Sequence, residues 1–309
     1  MARKQQTSEV TTNVPTSFNC TIVSVRSPSG NYRRTSFASL DAALETAAAI
    51  STGLVKTPNK ANQHFADTRI QDTDGRSRST HWCDGMTSAQ AVEALVKAPQ
   101  SRAEAVEASA RNIGAVPVGT VTRSRMVKRL DEGTDIDAER YVTERTIEGV
   151  WKRRVKRSVS RPVLKVGING GASCMVDNAN FARSAAAVLG LVKAAEDAGH
   201  AIEVVWFTSA KPTPSSNVEI YEICLKRVDQ VLDWDVMLGA CVGASFFRTV
   251  GFDLKNLSPV AHEGSYGYTT RPADEYLAEF AVCAPSNFDN DADAAQWAAQ
   301  ASERLGEGA

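Results

Sequence analysis

The residues best suited to chemistry in this sequence lie in one short segment, residues 169–173, which reads Asn-Gly-Gly-Ala-Ser. The amide oxygen of Asn169 and the hydroxyl of Ser173 are oxygen ligands of the kind that magnesium accepts, although a carboxylate is the usual partner. The candidate residues for a third ligand are Asp177, Thr208 and Asp233. We take Asn169, Ser173 and Asp233 as a candidate divalent-cation site, with magnesium as its cofactor. The alternative is a structural turn whose glycines permit a tight bend.

The elements around this segment have a clear pattern. Residues 163–168 read as a buried strand, and residues 181–197 carry apolar side chains at helical spacing after a capping residue, Asp177 or Asn180. Gly199 is suited to end that helix, and residues 201–207 read as a second strand. A strand, helix and strand of this length predict two parallel neighbours in one sheet.

The sequence continues in the same style. Residues 220–226 are typical of a third strand, and residues 233–241 and 244–252 of two helices. The fold class predicted from these elements is α/β, with a three-layer αβα, Rossmann-like sheet.

The order of a strand, the Asn169-x-Gly171-x-Ser173 turn, a long helix and a second strand resembles the opening of a von Willebrand factor A domain. In that family the first strand ends in Asp-x-Ser-x-Ser, which holds a divalent cation at the carboxyl end of the sheet. Here Asn169 and Gly171 replace the first two ligands, and only Ser173 matches. The resemblance implies a degenerate metal site and a non-enzymatic interaction or scaffold protein that binds a protein partner at this end.

A second resemblance covers residues 140–270. With Asp233, the pair Phe247-Arg248 and the glycine- and tyrosine-containing segment 263–268, the pattern is similar to uncharacterised proteins of tailed phages. It implies a phage-encoded protein in the cytoplasm of the host.

Basic residues gather in residues 152–165, interrupted by valines. The candidate nucleic-acid contacts are Lys152, Arg153, Arg154, Lys156, Arg157 and Arg161. One interpretation is an exposed edge strand whose charges discourage pairing with another chain. The other is a strip that binds nucleic-acid phosphates, with Trp151 or Tyr141 as a stacking platform.

Several common catalytic motifs are absent from the sequence. It contains neither a phosphate-binding Gly-x-x-x-x-Gly-Lys-Ser/Thr loop nor a Gly-x-Ser-x-Gly nucleophile elbow. The sequence predicts no catalytic residue, and an enzyme on a Rossmann-like sheet with an unidentified substrate stays open as a third hypothesis.

Composition and length limit the remaining possibilities. The chain has 309 residues, a net charge of −1, and six scattered cysteines without a Cys-x-x-Cys pair, which favours reduced thiols in a cytoplasm. We expect no membrane span and no signal peptide. The predicted division is a flexible tail (1–17), a mainly helical region with a hairpin (18–140), the α/β domain (141–285) and an acidic tail or helix (286–309).

Overall fold

A computed structural model describes residues 8–11, 20–51, 88–114, 124–130, 135–136, 138–144, 151–156, 163–172, 176–260, 262 and 269–307. The strands are β1 (Ser8–Thr11), β2 (Cys20–Arg26), β3 (Tyr32–Phe37), β4 (Ser124–Leu130), β5 (Asp135–Ile136), β6 (Trp151–Lys156), β7 (Val163–Asn169), β8 (Ala201–Ala210), β9 (Val218–Lys226) and β10 (Val282–Ala284). The helices are α1 (Leu40–Ser51), α2 (Ser88–Val96), α3 (Gln100–Ile113), α4 (Ala138–Glu144), α5 (Asn178–Asp197), α6 (Trp234–Cys241), a π-helical turn (Phe247–Gly251), α7 (Phe252–Lys255), α8 (Asp274–Leu277) and α9 (Asp291–Glu307).

The described strands form one sheet of seven strands and one of three. The order in the large sheet is β1-β2-β3-β9-β8-β7-β10. Strand β7 is parallel to β8 and to β10, whereas β9 is antiparallel to β8 and parallel to β3. The α/β class is therefore confirmed, as a mixed sheet.

The β7–α5–β8 unit forms where the sequence predicts it. Its helix begins after Asp177, whose side chain accepts a hydrogen bond from the backbone N–H of Asn180 at 2.9 Å, and so satisfies one of the free donors at the helix start. It ends before Gly199, which has a φ of 86° and takes the left-handed conformation that glycine adopts without strain. The crossover delivers β8 alongside β7 in parallel, as predicted.

The hairpin of β2 and β3 is found as predicted, and it joins the large sheet. β3 pairs with β9, so one sheet contains strands from both sides of the boundary predicted at residue 140. Ser8–Thr11, within the segment predicted as a flexible tail, forms β1 and pairs with β2. Hydrogen bonding between distant segments, which a local pattern does not contain, unites these parts.

The two faces of the large sheet are covered differently. Alternate residues of the central strands, such as Val166, Val204 and Trp206, pack in a large core with α1, α3, α5 and α6. The opposite face carries a smaller cluster of aromatic residues, including Phe207, Tyr276 and Phe280, beneath α8 and the residues that follow it.

Helix α6 is held at both ends. Asp233 caps its start, accepting from the N–H of Val236 at 3.1 Å. Near its other end, the guanidinium of the buried Arg102 in α3 donates to the carbonyl of Gly239 at 2.9 Å. A cation at the carboxyl end of a helix complements the helix dipole, so α3 fixes the end of α6 that approaches the 169–171 turn.

The three-stranded sheet has the order β4-β6-β5, which places β6 in the middle. β4 pairs with most of β6, and β5 pairs with Lys152 and Trp151 on the other side. The interpretation of this basic segment as an edge strand is wrong at Lys152, which has partner strands on both sides. Among the described residues, 153–156 pair with β4 alone. In the part of the chain that the structure describes, no helix has the length and apolar character that crossing a bilayer requires.

Candidate functional site at the carboxyl end of the sheet

The turn after β7 continues the sheet for one more residue. The N–H of Gly170 donates to the carbonyl of Phe207 at 2.7 Å, and the side-chain oxygen of Asn169 accepts from the N–H of Gly171 at 3.1 Å. The amide oxygen of Asn169 is thus already engaged by the backbone of its own turn.

Close packing explains both glycines of this turn. A Cβ atom on Gly170 would lie 1.9 Å from the indole nitrogen of Trp206, and one on Gly171 would lie 2.2 Å from a methyl carbon of Thr269. Neither glycine is among the residues with positive φ, so the requirement is for space. The sequence predicts glycines here because they permit a tight bend. The structure instead requires them because a larger side chain would collide with Trp206 or Thr269.

The described residues bring no cluster of the usual metal-binding side chains to this turn. Thr269 occupies the space that a serine at position 171 would need, and no group of three or more His, Cys, Asp or Glu residues within the described ranges could hold an ion. Ser173 lies outside the described residues. We therefore derive no chemistry through a cation here.

The structure does not bring Asp233 to Asn169. Ala240 and Cys241, near the carboxyl end of α6, line a small space beneath Asn169 and Gly170, whereas Asp233 caps the opposite end of that helix. An eight-residue helix is about 12 Å long, so Asp233 lies roughly this far from Cys241 at the other end. Thr208 does approach, since its hydroxyl lies 3.0 Å from the position of a Cβ on Gly171.

An open cleft of about 340 Å³ lies beside the turn. Asn169 from the end of β7 and Ala284 from the end of β10 both border it. The strand order reverses at β7, because the chain leaves β7 toward β8 and β9 and later returns to β10 on the other side. Open α/β sheets bind ligands in the crevice outside the carboxyl ends of their strands at such a point.

We call this space the switch-point cleft. Its described lining is Asn169, Phe207, Thr269, Thr270, Arg271, Pro272, Leu277, Cys283, Ala284, Pro285 and Trp297. Most of these side chains are apolar, with a few hydrogen-bonding groups among them, which is the usual composition of a small-molecule site.

Residues 269–271, which contribute three of these hydrogen-bonding groups, are attached to the sheet. The hydroxyl of Ser209 donates to the carbonyl of Thr270, and the N–H of Thr270 donates to the carbonyl of Ser209 at 3.4 Å. Arg271 follows directly, and its guanidinium donates to the carboxylate of Asp274 at 2.8 Å. The backbone next to Arg271 is therefore held at the sheet, whereas its guanidinium is joined to α8 only through this exposed pair.

The described lining of the cleft is suited to binding and lacks acid–base groups. It contains no carboxylate, histidine or lysine. Its thiol belongs to Cys283, and burial raises the pKa of that thiol to about 12, so it is protonated and weakly nucleophilic at neutral pH.

Another unusual group lies elsewhere. The Lys255 ammonium is buried over the rings of Phe247 and Phe252, at 4.7 and 5.3 Å from their centroids, and burial lowers its pKa to about 7. Burial, together with the charge of Lys255, lowers the pKa of His262 to about 4. Neither residue lines the switch-point cleft.

The basic residues predicted to contact nucleic acid are only partly described. Lys152, Arg153, Arg154 and Lys156 belong to β6 of the small sheet. Arg157 and Arg161 lie outside the described residues.

Sequence reasoning identified Asn169 but missed the rest of the cleft. Arg271 and Trp297 are separated from Asn169 by more than a hundred residues and belong to no motif. The local sequence offers Pro272, which marks a turn or a helix start but does not indicate a cleft.

Fold and site together define an α/β protein with an open cleft at the carboxyl end of a mixed sheet. A family model described as a domain of unknown function, DUF7192, matches residues 9–306, and the chain belongs to that family. Searches of curated proteins and of solved structures found no match.

Proposed function

We propose that this protein is a non-catalytic binding protein with a von Willebrand factor A-like domain, which holds a protein partner at the switch-point cleft. The observation that carries the proposal is the cleft itself, which lies at the sheet's topological switch point and has a described lining of apolar and hydrogen-bonding groups without acid–base residues. The phage origin inferred from the sequence would make the partner a phage or host protein.

The strand order supports the fold assignment. If β7, β8, β9 and β10 are numbered 1 to 4 along the chain, their order across the sheet is 3-2-1-4. The corresponding part of a doubly wound sheet has the same order. The departure is β9, which runs antiparallel to β8.

Affinity capture from the cells that express this protein tests the proposal. Leu277→Arg places a charge in an apolar wall of the cleft, and Val231→Arg makes the same change at a residue that is 90% exposed outside it. We expect wild type and Val231→Arg to retain the same partner and Leu277→Arg to lose it, with all three folded by circular dichroism. Retention by Leu277→Arg would refute the proposal.

The degenerate turn gives a second test. A cation that binds the native state must raise the midpoint of thermal unfolding. Because Thr269 fills the space beside Gly171, we expect Mg²⁺ and Mn²⁺ to leave the midpoint unchanged. A rise that saturates with either ion would contradict a metal-independent cleft.

Nucleic-acid binding by the small sheet is a second candidate function. The observation that favours it is that two paired strands, β4 and β6, together contain seven basic residues: Arg125, Lys128, Arg129, Lys152, Arg153, Arg154 and Lys156. Retention on single-stranded DNA or RNA should fall steeply with salt, because each phosphate contact releases a counterion. Absent or salt-insensitive retention would exclude it.

A further inference from the structure

We infer that the switch-point cleft recognises a compact apolar group that carries a carboxylate. The inference rests on the proposed function, since it names the chemistry that the same cleft would take from its partner. Such chemistry belongs to the carboxyl-terminal residue of a peptide and also to a free aromatic or aliphatic acid.

The apolar side chains that line the cleft indicate that one part of the ligand is apolar. Phe207, Leu277 and Trp297 border the cleft from three different elements, β8, α8 and α9. Trp297 is held in place because its indole N–H donates to the carbonyl of Cys283 at 3.3 Å. A volume of about 340 Å³ suits a single large apolar side chain with its backbone groups.

The positive charge of Arg271 indicates that the ligand is an anion. This arginine is the one charged residue in the described lining, so an anion is favoured over a cation. Its pair with Asp274 occupies only part of a guanidinium that offers five donors, and both side chains are largely exposed, at 79% and 70%. An exposed pair of this kind is weak and exchanges readily with a ligand.

A carboxylate matches these donors better than a phosphate does. A planar carboxylate can take two parallel hydrogen bonds from one guanidinium, and the described lining also contains the neutral polar residues Asn169 and Thr269. A phosphate dianion would call for further positive charge, and the described lining contains none beyond Arg271.

Calorimetric titration tests the inference with defined probes. These are N-acetylphenylalanine, its primary amide, and the peptide Gly-Ser-Gly-Ser-Phe with a free or an amidated carboxyl terminus. We expect both acids to bind and both amides to bind at least about tenfold more weakly, because a hydrogen-bonded charge is lost. Stronger binding of the peptide acid identifies a chain terminus as the ligand, and stronger binding of N-acetylphenylalanine identifies a free acid.

Single substitutions test whether Arg271 is the residue that binds the carboxylate. Arg271→Gln should weaken the acids about tenfold and leave the amides unchanged. Asp274→Asn should strengthen the acids by at most about fivefold, since it frees the guanidinium from an exposed pair. Arg227→Gln is the matched control, because Arg227 forms a similar exposed pair with Asp229, at 3.3 Å, in the loop after β9.

Equal affinity for acid and amide, or full acid binding by Arg271→Gln, would overturn the inference. If partner capture is still abolished by Leu277→Arg in that case, the proposed function stands while the carboxylate chemistry fails. If no probe binds and Leu277→Arg still captures the partner, both fail.

Discussion

The two faces of the central sheet contain the same kind of ion pair, held in different ways. Arg33 and Arg34 are neighbours in β3 and point to opposite faces. Arg33 approaches Glu219 of β9 at 3.7 Å, whereas Arg34 approaches Glu222 of the same strand at 2.7 Å. Both glutamates are buried.

The pKa values of the two glutamates shift in opposite directions. Burial raises the pKa of Glu219, and its hydrogen bond from Tyr221 and the more distant charge of Arg33 offset only part of that. Burial also acts to raise the pKa of Glu222, but the charge and hydrogen bond of Arg34 outweigh it, and the pKa is lowered. Distance and hydrogen bonding, more than burial, decide the outcome.

The difference bears on the cleft. Arg34 also donates to both carboxylate oxygens of Glu279 at 2.9 Å, and the Tyr276 hydroxyl donates to Glu222 at 2.9 Å. These bonds join α8 and the residues after it to the sheet, so the network that keeps Glu222 ionised also positions Leu277 at the cleft wall. The carboxylate of Glu219 instead bonds to Tyr221 and Ser258, neither of which belongs to the described lining of the cleft.

The largest expected effect is on the Glu222 side. Glu222→Gln removes one charge of a buried, hydrogen-bonded pair and leaves Arg34 with Glu279 alone, so we expect a loss of about 2–3 kcal/mol in the free energy of unfolding. Urea unfolding monitored by circular dichroism measures it. The exposed Glu303→Gln is the control, expected within about 0.5 kcal/mol of wild type. If Glu222→Gln lowers the free energy of unfolding no more than Glu303→Gln does, the Arg34–Glu222 pair is not the stronger of the two ion pairs.

A smaller effect is expected from Glu219→Gln. Glutamine keeps an oxygen and can retain hydrogen bonds with Tyr221 and Ser258, which now bond to the carboxylate at 2.5 and 3.0 Å. Because the carboxylate is already disfavoured by burial, we expect a change within about 1 kcal/mol in the same urea experiment. A loss larger than that of Glu222→Gln would reverse the comparison.

The smallest effect is a difference in pH dependence. The unfolded pKa of glutamate is about 4.3. The lowered pKa of Glu222 stabilises the fold above that value, and this stabilisation is lost as the pH falls through the folded pKa. The raised pKa of Glu219 stabilises the fold below that value, and this stabilisation is lost as the pH rises through the folded pKa.

Unfolding at pH 3.5, 5 and 7 measures this difference. The stability gap between wild type and Glu222→Gln should narrow toward pH 3.5. Wild type should lose stability relative to Glu219→Gln as the pH rises from 3.5 to 7. Parallel curves for both variants would show that the two carboxylates titrate alike.

The sequence predicts the local part of this fold well. Helix α5 could be placed because its apolar residues recur at helical spacing between the capping Asp177 and the terminating Gly199. Such signals act over a few residues, so the β7–α5–β8 unit and the β2–β3 hairpin are both readable without knowledge of their partners.

The long-range part could not be predicted in this way. Pairing of β3 with β9 joins residues nearly two hundred positions apart, and no local pattern specifies it. The same holds for the cleft, whose walls come from separate elements. The Arg34–Glu222 pair is also invisible in sequence, because alternation in a strand assigns a side chain to a face without naming its partner.

The contact between Gly171 and Thr269 has an evolutionary consequence. A side chain at position 171 would meet the Thr269 methyl group at 2.2 Å, so the first step toward an Asp-x-Ser-x-Ser turn is blocked while Thr269 remains. Thr269 must first become smaller, a change that by itself gains no cation. The two positions are therefore expected to change together, since a side chain at position 171 needs a smaller residue at position 269.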